Sequence, residues 1–256
     1  MTYLDASILG VIEGVTEFLP ISSTGHMILA STFLGIPNTE FLKTFEIVIQ
    51  LGAILAIVFL YAKHIFHSKH LLQKTLLAFI PTGVIGVVAY AVIKTHLFNP
   101  VIVSVALILG GIILILLDKK MSATKESEYQ KLEEISYPKA LSIGLCQGIS
   151  VIPGVSRAAA TIIGGMASGL SKKEAMEFSF FLAIPTMGMA TGYDLYKSSA
   201  GITPSDIGLL AWGGIVSFFT AWIAVKLFVK YVERNGFALF GYYRIIIGIL
   251  FLLFVK

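Results

Sequence analysis

Charge is what this sequence has least of. Of 256 residues only 13% are Asp, Glu, Lys or Arg, while 56% are hydrophobic, and the mean hydropathy is +0.87. Soluble domains carry roughly 25% charged residues, so the chain falls far short of the polar surface that water solubility requires. A disordered chain, a nucleic-acid-binding domain and an ordinary cytosolic protein are all excluded. The net charge of +4 is too small an excess to form a basic patch for nucleic acid. Cysteine is nearly absent: Cys146 stands alone, which rules out an internal disulfide and a thiolate metal cluster. The first basic residue is Lys43, so no positive stretch precedes the opening apolar run and no cleavable signal peptide is expected.

What is present is a set of apolar runs of two lengths. A spanning helix needs about 20 mostly apolar residues, whereas runs of about 10 to 14 fit re-entrant or buried segments. Phe41–Ala62, Leu76–Ile93, Pro100–Leu117, Ala175–Tyr193, Ile207–Val225 and Phe237–Val255 are predicted to span a membrane. The shorter runs, Ala6–Leu19 with Gly25–Ile36 and Ala140–Ile152 with Ala158–Leu170, are joined across Pro20–Thr24 and Pro153–Arg157. Each pair reads as helix, break, helix. The predicted fold is an all-α polytopic membrane protein with an inverted repeat. Residues 1–117 form one half (re-entrant pair 6–36), 118–139 a cytoplasmic linker and 140–256 the other half (re-entrant pair 140–170). The segment Gly10-Val-Ile-Glu13-Gly14-Val-Thr16 matches Gly144-Leu-Cys-Gln147-Gly148-Ile-Ser150, and a serine follows each proline by three residues, Ser23 or Ser156, if one gap is allowed. Ile80-Pro81-Thr82 recurs as Ile184-Pro185-Thr186, at non-equivalent places in the two halves.

Basic residues set the orientation. Lys63, Lys69, Lys74, Lys119, Lys120, Lys125, Lys131, Lys139, Lys172, Lys173, Lys230 and Arg234 fall on one side, against Lys43, Lys94, Lys197 and Lys256 on the other. The Lys-rich side is cytoplasmic by the positive-inside rule, and both termini then face outward.

Glu13 and Glu17 sit four apart in an apolar run, so a helix projects both carboxylates from one face. An acidic side chain at membrane depth costs on the order of 3 kcal/mol, which argues that the pair is kept for chemistry. Such carboxylates either hold a hard cation, Mg²⁺ or Ca²⁺, or trade protons. Pro20 then breaks the helix, and Ser22, Ser23 and Thr24 precede His26. One hydroxyl suffices to cap a helix; three with a histidine fit a phosphate at a helix N-terminus, a serine nucleophile and a proton carrier. Arg157 lies deep between two apolar helices and offers a guanidinium fork for phosphate. If the two breaks meet near the midplane, the combined site suits a diphosphate. Glu46, Gln50 and Glu177 could line that cavity or pair between the halves. His64, His67 and His70 lie in a basic loop and are not read as a metal site. Asp194, Asp206 and Arg244 are assigned to the interface, and Gly83, Gly86, Gly110, Gly111, Gly164 and Gly165 to close helix approach.

The segments Glu13-Gly-Val-Thr-Glu17-Phe-Leu-Pro20-Ile-Ser22-Ser23-Thr24-Gly-His26 and Pro153-Gly-Val-Ser156-Arg157 resemble those of bacterial undecaprenyl-diphosphate phosphatases, also called bacitracin-resistance proteins. Phe45-Glu46…Gln50-Leu51-Gly52 and Glu177-Phe178-Ser179-Phe180 support the resemblance, which runs nearly the full chain. One departure is Ala158, where the family often has a second serine. The resemblance implies hydrolysis of undecaprenyl diphosphate to the monophosphate carrier for peptidoglycan, with a divalent cation, in the bacterial plasma membrane. It implies a site made of Glu13, Glu17, Ser22, Ser23, His26, Ser156 and Arg157. The roles assigned are Ser23 as nucleophile, His26 and Glu17 for protons, Glu13 with Glu17 for the cation, and Arg157 for the transferring phosphoryl. Ser22, Thr24, Ser156 and Gln147 complete the substrate contacts. Attack by His26 or by a metal-held water stays open, and a homodimer is left open. The expected partners are the polyprenyl diphosphate and membrane lipid, with no nucleic acid, and the site is expected to open to the outer face.

The rival expectation is a polyprenyl-phosphate flippase or anion transporter using the repeat for alternating access; the hydroxyl cluster with His26 favours the hydrolase. A second lipid-phosphatase pattern, Ser-Arg-x5-His, fails because Ile163 holds the histidine position.

Overall fold

The computed structural model describes residues 1–92, 100–122, 129–198 and 204–254. Among them all long elements are helices: α1 (Tyr3–Thr16), α2 (Ser23–Phe33), α3 (Glu40–His67), α4 (Lys69–Val92), α5 (Pro100–Ser122), α6 (Tyr137–Gly148), α7 (Arg157–Ala167), α8 (Lys172–Ser198), α9 (Pro204–Asn235) and α10 (Ala238–Phe254). The run ends at Ile93 and Val255, the basic residues Lys94, Lys125 and Lys256, and the side chains of His67, Asp194 and Lys197 lie outside the described residues.

All six long apolar runs fold as helices, and three stretches, Glu40–His64, Val101–Met121 and Asp206–Asn235, are long and apolar enough to cross a membrane. On α5 the exposed side chains Val101, Val105, Leu109, Ile112 and Leu116 recur at helical spacing and form an apolar outer stripe. An outer face of this kind is stable in hydrocarbon and not in water. The protein is a helical membrane protein.

The helices of the two helix–break–helix segments begin in one constant register, without the gap expected from the prolines. Thr2 and Ser136 precede α1 and α6, and the register that carries Tyr3 onto Tyr137 also carries Gly10 onto Gly144, Glu13 onto Gln147 and Ser22 onto Ser156. Ser156 therefore corresponds to Ser22, the N-cap of α2, and Ser23 corresponds to Arg157. The prolines misled the register because Pro20 and Pro153 stand at different distances ahead of the helix that follows, α2 at Ser23 and α7 at Arg157. Both α2 and α7 end in the same way. A glycine at positive φ, Gly35 or Gly169, follows the last turn, and the next amide returns to a helix carbonyl, Ile36 N to Ser31 O at 2.9 Å and Leu170 N to Gly165 O at 3.1 Å.

Packing crosses between the halves: α1 lies on α9, α6 on α4, α3 on α8 and α9, and α5 on α10. Small residues permit it. A Cβ on Gly14 would fall 2.6 Å from the carbonyl oxygen of Ser217 on α9, and one on Gly144 would run into the carbonyl of Ala78 on α4. Gly110, Gly111, Gly164 and Gly165 also sit against neighbouring elements, whereas among the described residues the nearest atoms to a Cβ on Gly83 belong to Phe79 of its own helix and Gly86 has nothing within 4 Å. The polar end of α10 is tied down by Asp118, which accepts from Phe237 N at 2.9 Å and Ala238 N at 3.3 Å and pairs with Lys172 at 2.8 Å. Asp118 is buried within the last turns of α5 rather than in a free linker.

Candidate active site

The chain leaves α1 at Glu17 and cannot stay helical, because Pro20 lacks an N–H and disfavours helical backbone at Leu19. It re-enters a helix through Ser22 at φ +72°, and the second break re-enters through Ser156 at φ +70°. These are the only non-glycine residues at positive φ among those described. Such backbone costs on the order of 1–3 kcal/mol per residue and persists only where surroundings over-determine it. Its recurrence at matching positions marks both breaks as built features.

Both breaks line one cavity of about 140 Å³, walled by Glu17, Ser22, Ser23, Thr24 and Gln50 from one half and Ser150, Ile152–Gly154, Ser156, Arg157 and Met187 from the other. A water occupies ~30 Å³ of bulk liquid, so the space suits a phosphate-sized group and not a polyprenyl tail. Within it Ser23 Oγ donates to Glu17 Oε2 at 2.5 Å, and Arg157 Nη2 donates to Glu17 Oε1 at 3.0 Å. The pair is shielded, with side-chain exposures of 6% for Glu17 and 11% for Arg157. Arg157 is aimed by three further contacts: Nη1 donates to Ser179 O at 3.2 Å, Nη2 touches Met187 Sδ at 3.0 Å, and its Cζ lies 5.4 Å from the centre of the Phe18 ring. Its Nε is buried without a partner, a donor left over for a ligand. Ser156 Oγ caps Ala159 N at 3.2 Å, whereas the Ser22 side chain makes no capping bond. The first amides of α2 thus remain available to an anion at the cavity wall.

Two histidine and glutamine expectations take a different shape. His26 does not reach Ser23: its Nδ1 donates to Ser22 O at 2.8 Å, which leaves Nε2 to accept from the Tyr243 hydroxyl at 2.6 Å, the rings lying nearly parallel. Gln147 is fully buried behind the cavity. Its amide donates to Thr82 Oγ1 at 2.8 Å and Thr186 Oγ1 at 3.0 Å, so the two Ile-Pro-Thr segments converge on one side chain.

A family model described as "Bacitracin resistance protein BacA" matches residues 6–250. The chain belongs to this family. A protein of Sulfurihydrogenibium sp. named undecaprenyl-diphosphatase is 50% identical over 253 residues, covering 99% of both chains. Proteins of the same name from Wolinella succinogenes and Aquifex aeolicus are each 49% identical over 255 residues, covering 100% and 99% of this chain and 99% of their own lengths.

A cation expected in this family would have to be held by oxygen. Glu13 is buried with Oε1 unpartnered, and Glu17, Glu46 and Arg157 are the charges that act on it. No cluster of three or more His, Cys, Asp or Glu side chains able to hold a metal occurs among the described residues. Glu13 and Glu17 are oxygen donors of the type a hard cation takes, and of their four carboxylate oxygens Glu13 Oε1 is the one left buried without a partner.

Sequence reasoning misplaced Arg244. It is fully buried in α10 and not interfacial, and the signal was available, since it interrupts an apolar run as Arg157 does. Tyr243 carried no such signal, because its role exists only through His26, more than two hundred residues away. Of the residues left open, Gln50 lines the cavity, while Glu177 lies away from it in the surroundings of Lys173 and His64. His64 itself faces Glu133 at 3.4 Å.

Proposed function

We propose that this protein is an integral-membrane phosphatase that hydrolyses undecaprenyl diphosphate to undecaprenyl phosphate and inorganic phosphate. The observation that carries the proposal is the Ser23–Glu17–Arg157 chain of contacts, 2.5 and 3.0 Å long, in a protein about half identical over its full length to undecaprenyl-diphosphatases. A transporter would need an anion-binding arginine, but not a hydroxyl bonded to a buried carboxylate.

Glu17 takes the proton of Ser23 as Oγ attacks the terminal phosphorus. An Oγ–P bond forms and the bond from that phosphorus to the bridging oxygen breaks. Undecaprenyl phosphate leaves, and its oxygen receives the proton from Glu17. Water then attacks the phosphoserine, giving a proton to Glu17; the Oγ–P bond breaks, Ser23 recovers the proton, and inorganic phosphate is released. Arg157 and the free amides of α2 stabilise the equatorial oxygens in both steps. Ser23 is favoured over His26 as nucleophile because both ring nitrogens of His26 are engaged elsewhere. Glu13 and Glu17 would hold Mg²⁺ or Ca²⁺, which supplies neutralisation of the diphosphate charge.

The matched breaks and crossed packing support an inverted repeat of two re-entrant pairs, with three spans each, in the bacterial inner membrane. On that plan the Lys-rich loops are cytoplasmic and the site opens to the outer side, where a lateral path lets the tail remain in lipid. All the named groups come from one chain, so the mechanism requires no second copy; a homodimer is compatible with it. The test is phosphate release from polyprenyl diphosphate by purified protein. Release with Mg²⁺ or Ca²⁺ that a chelator abolishes is expected; no release under either condition would sink the proposal.

A further inference from the structure

Among the described residues Arg244 donates only to backbone carbonyls. Nε reaches Leu107 O at 3.3 Å, Nη1 reaches Pro20 O at 3.0 Å, and Nη2 is shared among Ala106 O, Gly154 O and Val155 O at 3.2, 3.1 and 3.0 Å. Pro20 lies in the first break, two residues before Ser22, and Gly154 and Val155 lie in the second, immediately before Ser156. One buried guanidinium on α10 therefore touches both breaks at once and braces them against α5.

That arrangement meets two needs. Carbonyls of irregular backbone inside a membrane protein lack water and must find donors, and the fork of five N–H groups supplies them at fixed angles. The positive-φ backbone of Ser22 and Ser156 also needs a rigid frame, and the clamp holds the residues just upstream of each. Ser23 and Arg157, the residues after those two serines, come from opposite halves of the chain, so their relative position depends on how the breaks are fixed to each other.

We propose that Arg244 is a positioning residue for the phosphatase reaction, setting the spacing of the Ser23 break against the Arg157 break. It touches no substrate. The proposal rests on the hydrolase function given above, and it predicts a specific kinetic signature. Loss of a group that only aligns reactants lowers kcat and leaves KM nearly unchanged, and a misplacement of ~1 Å costs roughly 100-fold.

The test compares wild type with Arg244→Met and Gly110→Ala, purified and assayed for phosphate release. Gly110 packs against the guanidinium, and a Cβ there would fall 3.0 Å from Arg244 Cζ; that variant displaces the fork while retaining its charge. Both variants are expected to lose kcat, by roughly 100-fold for Arg244→Met, with KM within a few-fold of wild type. Added methylguanidinium is expected to restore part of the turnover of Arg244→Met and none to Ser23→Ala. Wild-type kcat in Gly110→Ala, or in folded Arg244→Met, overturns the assignment, and Gly110→Ala decides alone if Arg244→Met does not fold. Inactive wild-type protein would instead overturn the hydrolase function on which the assignment rests.

Discussion

Removing Arg157 should harm stability as well as chemistry, and the two effects can be separated. Glu17 and Arg157 are 3.0 Å apart and largely shielded from solvent. At an effective dielectric of about 20, their attraction is roughly 5 kcal/mol before desolvation is counted. Deleting one partner of such a pair typically costs about 3–5 kcal/mol, because the other charge stays buried and unpaired. Arg157→Met should therefore lower the unfolding free energy of purified protein in mixed micelles by about that much. Glu17→Gln should also destabilise it, since Arg157 then loses its anionic partner and keeps the Ser179 carbonyl, the Met187 sulfur and the Phe18 ring. The double variant carries neither orphan charge, so its loss should be smaller than the sum of the single losses by about 1–3 kcal/mol. All three variants should release no phosphate. Equilibrium unfolding of the four proteins measures the coupling; additive losses would show that the ion pair does not organise the site.

Ser23→Ala and His26→Ala should separate nucleophile from support: turnover falls by at least about 10³-fold in the first, and less in the second, because His26 contacts Ser22 and Tyr243 rather than Ser23. Full turnover in Ser23→Ala would reject the role of Ser23. Gly144→Val should prevent α6 from seating on α4 and abolish folded protein in a detergent-extraction assay, since the carbonyl of Ala78 occupies that space; normal yield and unfolding would contradict the packing. Asp118→Ala should cost about 1–2 kcal/mol in unfolding through loss of the α10 cap, with kcat unchanged.

The legible parts of the fold were those governed by local physics. Apolar run length located all six long helices, and the prolines located both breaks, although α5 runs on to Ser122 beyond its apolar run. The pairing of Ser23 with Ser156, with one gap before the proline, followed a local signal, proline position, whereas the pairing of Ser22 with Ser156 is set by where each helix begins again. Within the site, Glu17, Ser23 and Arg157 stood out because charge and hydroxyls are costly in apolar segments. Arg244 shows the limit of that reasoning. Its charge was equally anomalous, but its partners are backbone carbonyls from three segments, and no side-chain pattern announces a carbonyl. Tyr243 and the pairing of Thr82 with Thr186 on Gln147 are likewise products of tertiary packing.

The central claim is that Ser23, bonded to Glu17 and facing Arg157, receives the terminal phosphate of the lipid diphosphate. It is tested most directly by rapidly quenching turnover of polyprenyl diphosphate labelled in its terminal phosphate and mapping any covalent label on the protein. A labelled phosphate on Ser23, absent from Ser23→Ala, is predicted. Label on His26, or turnover with none on the protein at any time, would contradict it.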